Sequence, residues 1–363
     1  MALNLDKFIK IIIKSGENSS RLASRDTAVL ICDDTLNIIN PASADYTLLE
    51  SYEDLAKNVS NPSETLKKYV RIFFDNKGVK LKLVKKINSD SIKTTIKSLD
   101  RDLITVAYCN TDASSRLKKS DFPDNITNTS DQKILVTWDK LNDGYSYLNG
   151  NRSQFFIVKY GDPGVEMTVL AYLTNINGYY YESVQDYDFT VEELKAEYYT
   201  QPSDAIVEGA ITENYNVDAE LAGELRNIGG NDTGGYSLVN DFMMILLSQT
   251  LSDKLLNVIT SKIKYNQNGL NIIQSTIIQE LDRYVNCGYL TKDKVWTDDT
   301  LIVPEGYTLI TKNTPLTQGY KFIILPFSTL NDAEKNNHEL PKIYLLLAES
   351  YSIRSIEING KTL

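Results

Sequence analysis

The chain has 363 residues, 42% hydrophobic and 24% charged, which supplies a sizeable core and excludes a mostly disordered or rod-like protein. Forty-eight acids against 38 bases leave a formal charge of −10, so neither nucleic acid nor an anionic membrane is a natural partner for the surface at large. One histidine and three cysteines (Cys32, Cys109 and Cys287), without CxxC spacing, predict reduced thiols and leave little material for metal binding or His-dependent catalysis.

At the start of the chain Leu3, Leu5, Ile9, Ile11 and Ile13 share one parity, against Asn4, Asp6, Lys10 and Lys14, which predicts a strand with one apolar face. The interspersed lysines leave no signal-peptide core, and the greasiest stretch, Phe242 to Leu247, falls far short of the roughly 18 apolar residues of a membrane span. A soluble protein made in the cytoplasm is expected. Ser15-Gly16-Glu17-Asn18-Ser19-Ser20 has linker composition.

From about residue 26 the pattern becomes α/β. Ala28 to Cys32 reads as a buried strand. Asn61-Pro62-Ser63-Glu64 predicts a helix start, with Asn61 as cap, Pro62 in the first helical position and Glu64 in a capping box. Leu66, Tyr69, Val70, Phe73 and Phe74 then form one helical stripe, which Asp75 to Gly78 stops. Val79, Leu81 and Leu83 alternate with Lys80 and Lys82 as a strand, followed by a helix over 90–99 and a strand over 103–107. Residues 111–132 are a polar loop. Strands are predicted at 134–137 and 155–158, a helix after Asp162-Pro163-Gly164 through Met167, Leu170 and Leu173, and extended chain over 204–211.

The glycine cluster 229–235 precedes a helix but is followed by Tyr236-Ser237 with no lysine, and 219–228 is not a buried strand. It is therefore read as a flexible connection and not a phosphate loop. Two long helices follow, 237–261 and 270–286, with Gly288 as a left-handed cap, then strands at 301–303, 308–310, 320–325 and 343–347. Ile356 and Ile358 again share a parity against Ser355, Glu357 and Asn359.

The expected fold class is α/β (α+β overall), with an N-terminal α/β domain, a C-terminal domain of two long helices and a small sheet, and extended β-strand arms at both termini. The boundaries fall at 1–20 for the arm and linker, 21–212, 213–350, and 351–363 for the second arm.

No residue is assigned a catalytic, cofactor or metal role, and no enzyme activity is expected. His338 lies in a polar loop with no nucleophile elbow near it. The acidic pairs Asp33-Asp34, Glu192-Glu193 and Asp298-Asp299 read as turns or solvated faces. Lys80 and Lys82 share a strand face, either solvated or contacting an acidic neighbouring copy. Tyr179-Tyr180-Tyr181 and Tyr198-Tyr199 suit either a protein interface or half-buried sheet padding.

Three stretches occur in a familiar order. The first is Asn61 to Val84, with Tyr69-Val70-Arg71-Ile72-Phe73-Phe74-Asp75-Asn76-Lys77-Gly78. The second is Asp162 to Leu173, with Asp186-Tyr187-Asp188-Phe189-Thr190 after it. The third is Glu224 to Gly230 and Gly234 to Asp241, leading into the helices that end at Tyr284-Val285-Asn286-Cys287-Gly288. In that order the chain resembles the contractile tail sheath proteins of bacteriophages and related injection systems.

The resemblance implies a structural subunit that stacks as homo-hexameric rings into a helical polymer around a tail tube protein, with baseplate and tail terminator proteins at the ends. Contraction drives the tube through the target envelope. The terminal arms would add strands to neighbouring subunits through Leu5, Ile9, Ile11, Ile13, Ile356 and Ile358, with Lys80 and Lys82 as further lattice contacts. No cofactor, nucleic acid or membrane insertion is implied, and the protein would be assembled in the host bacterial cytoplasm and reside in the virion tail. Another tail or virion component (tube, baseplate or capsid) and a cytosolic enzyme are the alternatives.

Overall fold

A computed structural model describes residues 26–33, 36–39, 45–86, 91–100, 102–122, 132–140, 151–176, 187, 190–221, 223–261 and 263–350. The predicted arms, the linker 15–20 and the cluster 179–181 lie outside these residues.

Strand β1 (Thr27–Cys32) is buried along its whole length, as a central parallel strand must be. Its neighbours are β3 (Lys80–Lys85) on one side and β4 (Thr105–Tyr108) on the other, both parallel to it. From β4 the sheet continues in parallel through β5 (Ile134–Asp139), β6 (Phe156–Tyr160) and β7 (Asn216–Leu221). Two antiparallel strands close the edges: β2 (Tyr46–Leu49) beside β3, and β8 (Glu224–Ile228) beside β7. The eight-stranded order is β2-β3-β1-β4-β5-β6-β7-β8, so the chain reverses direction of growth between β1 and β4.

The pleat sorts side chains to two cores. Ala28, Leu30 and Cys32 face a layer built from α2 (Glu64–Asp75), α4 (Met167–Asn175) and α6 (Leu238–Thr260). Val29 and Ile31 face the opposite layer, where α3 (Ile92–Ser98) and α5 (Asp204–Thr212) contribute Ile96 and Ala210. A short helix α1 (Asp54–Asn58) links β2 to α2.

Helix α7 (Gln267–Asn286) packs on α6. Buried Glu280 fastens the pair, taking ion pairs from Lys254 of α6 and Arg283 of α7. By length and composition α6 could cross a membrane, which the short apolar run Phe242 to Leu247 conceals. In this fold Val239, Phe242, Leu246 and Leu255 are buried against protein.

Beyond α7 lie the short strands β9 (Lys294–Val295), β10 (Leu301–Ile302), β11 (Thr308–Ile310) and β12 (Pro315–Leu316), paired as β10–β11 and β9–β12. They are followed by β13 (Tyr320–Ile324), helix α8 (Asp332–Asn336) and β14 (Ile343–Leu347).

Four local expectations are corrected. The cap of α2 is Ser63 and not Asn61: the Ser63 hydroxyl accepts the Leu66 N–H at 3.1 Å, the helix starts at Glu64, and Asn61 occupies a left-handed turn at φ 50°. Residues 204–212 form a helix, since Val207 and Ala210 meet the sheet at helical spacing. The stretch 219–228, read as holding no buried strand, contains the end of β7 (Asn216–Leu221) and all of β8 (Glu224–Ile228). Their buried side chains include Asn216, Asp218 and Asn227, which hid the strand pattern.

The cluster 229–235 is a buried, hydrogen-bonded turn. Gly229 has φ 130°, and a Cβ there would stand 2.8 Å from the Tyr215 carbonyl. Asp232 is fully buried and accepts the N–H groups of Phe155 at 2.8 Å and of Gly234 and Tyr236 at 2.9 Å. Burial and the adjacent Asp232 charge push the Asp241 carboxyl well up, and Gln154 donates to it at 2.8 Å.

Candidate assembly interface

Strands β13 and β14 pair antiparallel, with Tyr320 opposite Leu347 and Ile324 opposite Ile343. The bonds Leu325 N–H to Lys342 O (3.0 Å) and Ala348 N–H to Gly319 O (2.9 Å) fix the phase of this ladder. Odd-numbered residues of β13 therefore bond to β14. The backbone groups of Tyr320, Phe322 and Ile324 point to one outer edge, and those of Ile343, Leu345 and Leu347 to the other. Among the described residues no further strand pairs with either edge.

Both faces of this ribbon are covered. Tyr320, Phe322, Ile343, Leu345 and Leu347 join the core that contains α6 and α7. Ile323, Tyr344 and Leu346 pack in a separate cluster with Trp296, Val303, Leu309, Ile310 and Leu316. Tyr320 donates to Asp282 of α7 at 2.8 Å, and burial with that carboxylate pushes its hydroxyl up. On the other strand Tyr344 donates to Glu305 at 2.6 Å, and Lys342 pairs with the same carboxylate at 2.7 Å. Burial pushes Tyr344 up to about 12, while the hydrogen bond from Lys342 lowers Glu305. Among the described residues the ribbon is thus held on both faces with both edges open, a geometry that invites added strands. A groove of about 590 Å³ runs along the β13 edge, walled by Gln267, Leu270, Gln274 and Ile278 of α7.

Leu5, Ile9, Ile11, Ile13, Ile356 and Ile358 lie outside the described residues, so the structure does not bring them to these edges. Lys80 and Lys82 lie on one face of β3, and each already has a partner. Lys80 meets Asp26 at 3.2 Å; Lys82 meets Asp100 at 3.7 Å and stands 4.1 Å over the Tyr46 ring. His338 follows α8 at φ 55° with its ring edge-to-face with Tyr265. Among the described residues no His, Cys, Asp and Glu side chains form a metal-holding group.

The main buried chemistry escaped sequence reading. Lys159, fully buried on β6, donates to Tyr187 and Glu192 at 3.0 Å, to Asn227 at 2.9 Å, and to Asp218. Burial, then the charge of Glu192, pushes Asp218 well up, and one cation serves two carboxylates. The only sequence signal was a lysine inside the apolar run Phe156-Ile157-Val158-Lys159. The network ties β6, β7 and β8 to Tyr187 and Glu192. A cavity of about 650 Å³ lies at the carboxyl ends of β1 and β4, where open α/β sheets bind ligands.

No family model matches the chain, and no curated protein matches it in sequence. Solved structures do. A chain of the anti-feeding prophage baseplate superposes with a TM-score of 0.69 at 12% identity, covering 97% of both chains. The contracted helical sheath of the same particle gives 0.67 at 12% identity, over 96% of this chain and 98% of that one. The contracted sheath complex of an extracellular contractile injection system, PVC, gives 0.64 at 13% identity, over 99% and 95%. The chain has the sheath fold. A sheath tail protein from Desulfitobacterium hafniense shares it more distantly, with a TM-score of 0.53 at 8% identity over 93% and 99%. The near-complete coverage places both the eight-stranded sheet and the β13–β14 ribbon within the sheath fold.

Proposed function

We propose that this protein is the structural subunit of a contractile sheath, acting by assembly and not by catalysis. The observation that carries the reading is the β13–β14 ribbon, covered on both faces and, among the described residues, open on both edges, in a chain with the sheath fold along nearly its whole length. Two open edges match two strand-patterned arms. Residues 1–20 and 351–363 are the donors, 21–212 the α/β body and 213–350 the acceptor, with β7 and β8 reaching back into the body's sheet.

In this reading Leu5, Ile9, Ile11 and Ile13 of one neighbour, and Ile356 and Ile358 of another, seat beside β13 and β14. Such head-to-tail contacts do not close on themselves and generate hexameric rings stacked into a helix. The partners are further copies of the chain, a tail tube protein inside the helix, and baseplate and terminator proteins at its ends. The complete particle, a virion tail or related injector, is built in the host cytoplasm. Lys80 and Lys82 are lattice contacts only where a neighbour's acid joins or displaces Asp26 and Asp100. Contraction draws its energy from surface newly buried between copies in the shortened lattice, without nucleotide.

Negative-stain electron microscopy of the purified full chain tests this reading. Rings or striated tubes that shorten on mild acid, with chelator present and no nucleotide, are expected. Discrete monomers at every concentration and salt tried, or shortening that requires ATP, overturn it.

A further inference from the structure

Two of the three cysteines lie side by side. Across the parallel β1–β4 seam Ile31 stands opposite Tyr108, and the Ile31 carbonyl accepts the Cys109 N–H at 2.9 Å. One step further along the register Cys32 faces Cys109. Both thiols lie on the same side of the sheet, Cys32 within the α2–α4–α6 core and Cys109 packed against it. Adjacent strands are about 4.8 Å apart, inside the roughly 4.4–6.8 Å Cα separation that a disulfide requires. The Cys32 thiol donates to the Leu30 carbonyl at 3.7 Å, and the adjacent Cys109 thiol together with burial pushes Cys32 up.

Access is unequal. Cys32 is buried and Cys109 half-buried, yet both line the 650 Å³ cavity at the carboxyl ends of the strands, which is large enough to admit a small oxidant. Cys287 is buried at the end of α7, where its thiol donates to the Tyr284 carbonyl at 3.3 Å. Soft-metal capture is a poorer use of the pair, because the neighbouring carboxylate, Asp33, already accepts the Tyr108 hydroxyl.

We propose that Cys32 and Cys109 are an oxidisable dithiol, closed to an intramolecular disulfide by a peroxide. The Cys109 thiol gives up its proton and its sulfur attacks hydrogen peroxide: an S–O bond forms, the O–O bond breaks, and the leaving hydroxide takes up that proton as the first water. Cys32 then displaces the sulfenic oxygen: the S–S bond forms, the S–O bond breaks, and the Cys32 proton departs with the hydroxide as water. Two thiols and one peroxide give one disulfide and two waters. Cys109 acts first because it is the more accessible and because Cys32 is held as the thiol. The product staples β1 to β4 where the sheet reverses its order of growth.

The test uses the folded full chain and its Cys287→Ser variant, treated with hydrogen peroxide, alkylated, digested without reductant and analysed by mass spectrometry. A peptide pair linked through Cys32 and Cys109 is expected, with loss of two titratable thiols per chain and full recovery on dithiothreitol. Cys32→Ser, which removes the resolving thiol, should instead accumulate Cys109 sulfinic acid that dithiothreitol does not reverse. Three results overturn the proposal: wild-type Cys109 passing to sulfinic acid while Cys32 stays free, disulfides only between chains, or no thiol lost until denaturant is added.

Discussion

Lys159→Met removes the cation at the centre of the buried network while keeping most of the volume of its stem. Glu192 and Asp218, 6% and 3% exposed, are left facing each other without that counter-charge, and Asn227 loses its 2.9 Å donor. Breaking a buried pair in this way costs about 3–5 kcal/mol. The cost depends on pH, because burial and the charge of Glu192 already push the Asp218 carboxyl well up, and without Lys159 it can recover by taking up a proton. Its folded pKa lies above the unfolded one, so the folded state binds that proton and stability falls as pH rises between the two values. Each such proton contributes a slope of about 1.4 kcal/mol per pH unit. Urea unfolding of wild type and variant at pH 5 and pH 8 measures this directly. The loss should be small at pH 5 and reach the full range at pH 8, with m unchanged. A loss under about 1 kcal/mol at pH 8, or one equal at both values, would refute the network as a charged, fully desolvated fastening.

Glu166, buried and pushed up to about 8 chiefly by desolvation, gives wild type a stability that declines from about pH 4.5 to 8; Glu166→Gln should remove that slope in the same urea series. Ile343→Pro deletes an outward N–H at the first residue of β14 and spares the ladder to β13, so pelleted tube yield should collapse while the melting temperature drops by only a few degrees. Deleting residues 1–13 should abolish tubes and leave a folded monomer by size-exclusion and circular dichroism; tubes of normal length would show that this segment is not a donor. Ile356→Asp should reduce tube yield far more than Glu357→Lys, since each buried isoleucine contributes roughly 1.5–3 kcal/mol per junction; equal losses would mean a free tail.

The elements that could be read from sequence were those whose periodicity is set by packing alone. The stripe Leu66, Tyr69, Val70 and Phe73, the buried run of β1 and the two long helices all follow from apolar spacing. What failed was polar and buried. Asn227 fell in a stretch read as no buried strand because its partner, Lys159, is 68 residues away in sequence. Asp232 read as flexible because backbone donors from 155, 234 and 236 satisfy it only in the fold. At the candidate interface, β13 and β14 were legible as strands. Their open edges were not, since whether an edge is covered depends on every other strand's placement.

Helix α6 carries a mechanical consequence. Its 23 residues span about 34 Å at 1.5 Å per residue. One end is seated by Asp241 against the Asp232 turn and strand β6, and the other is tied to α7 through Lys254 and Glu280. Since α7 in turn holds β13 through Asp282, a pull on the ribbon reaches the large sheet through two packed helices. In the proposed sheath, load applied at a junction would therefore turn the subunit as one body, leaving the compliance to the connections between copies.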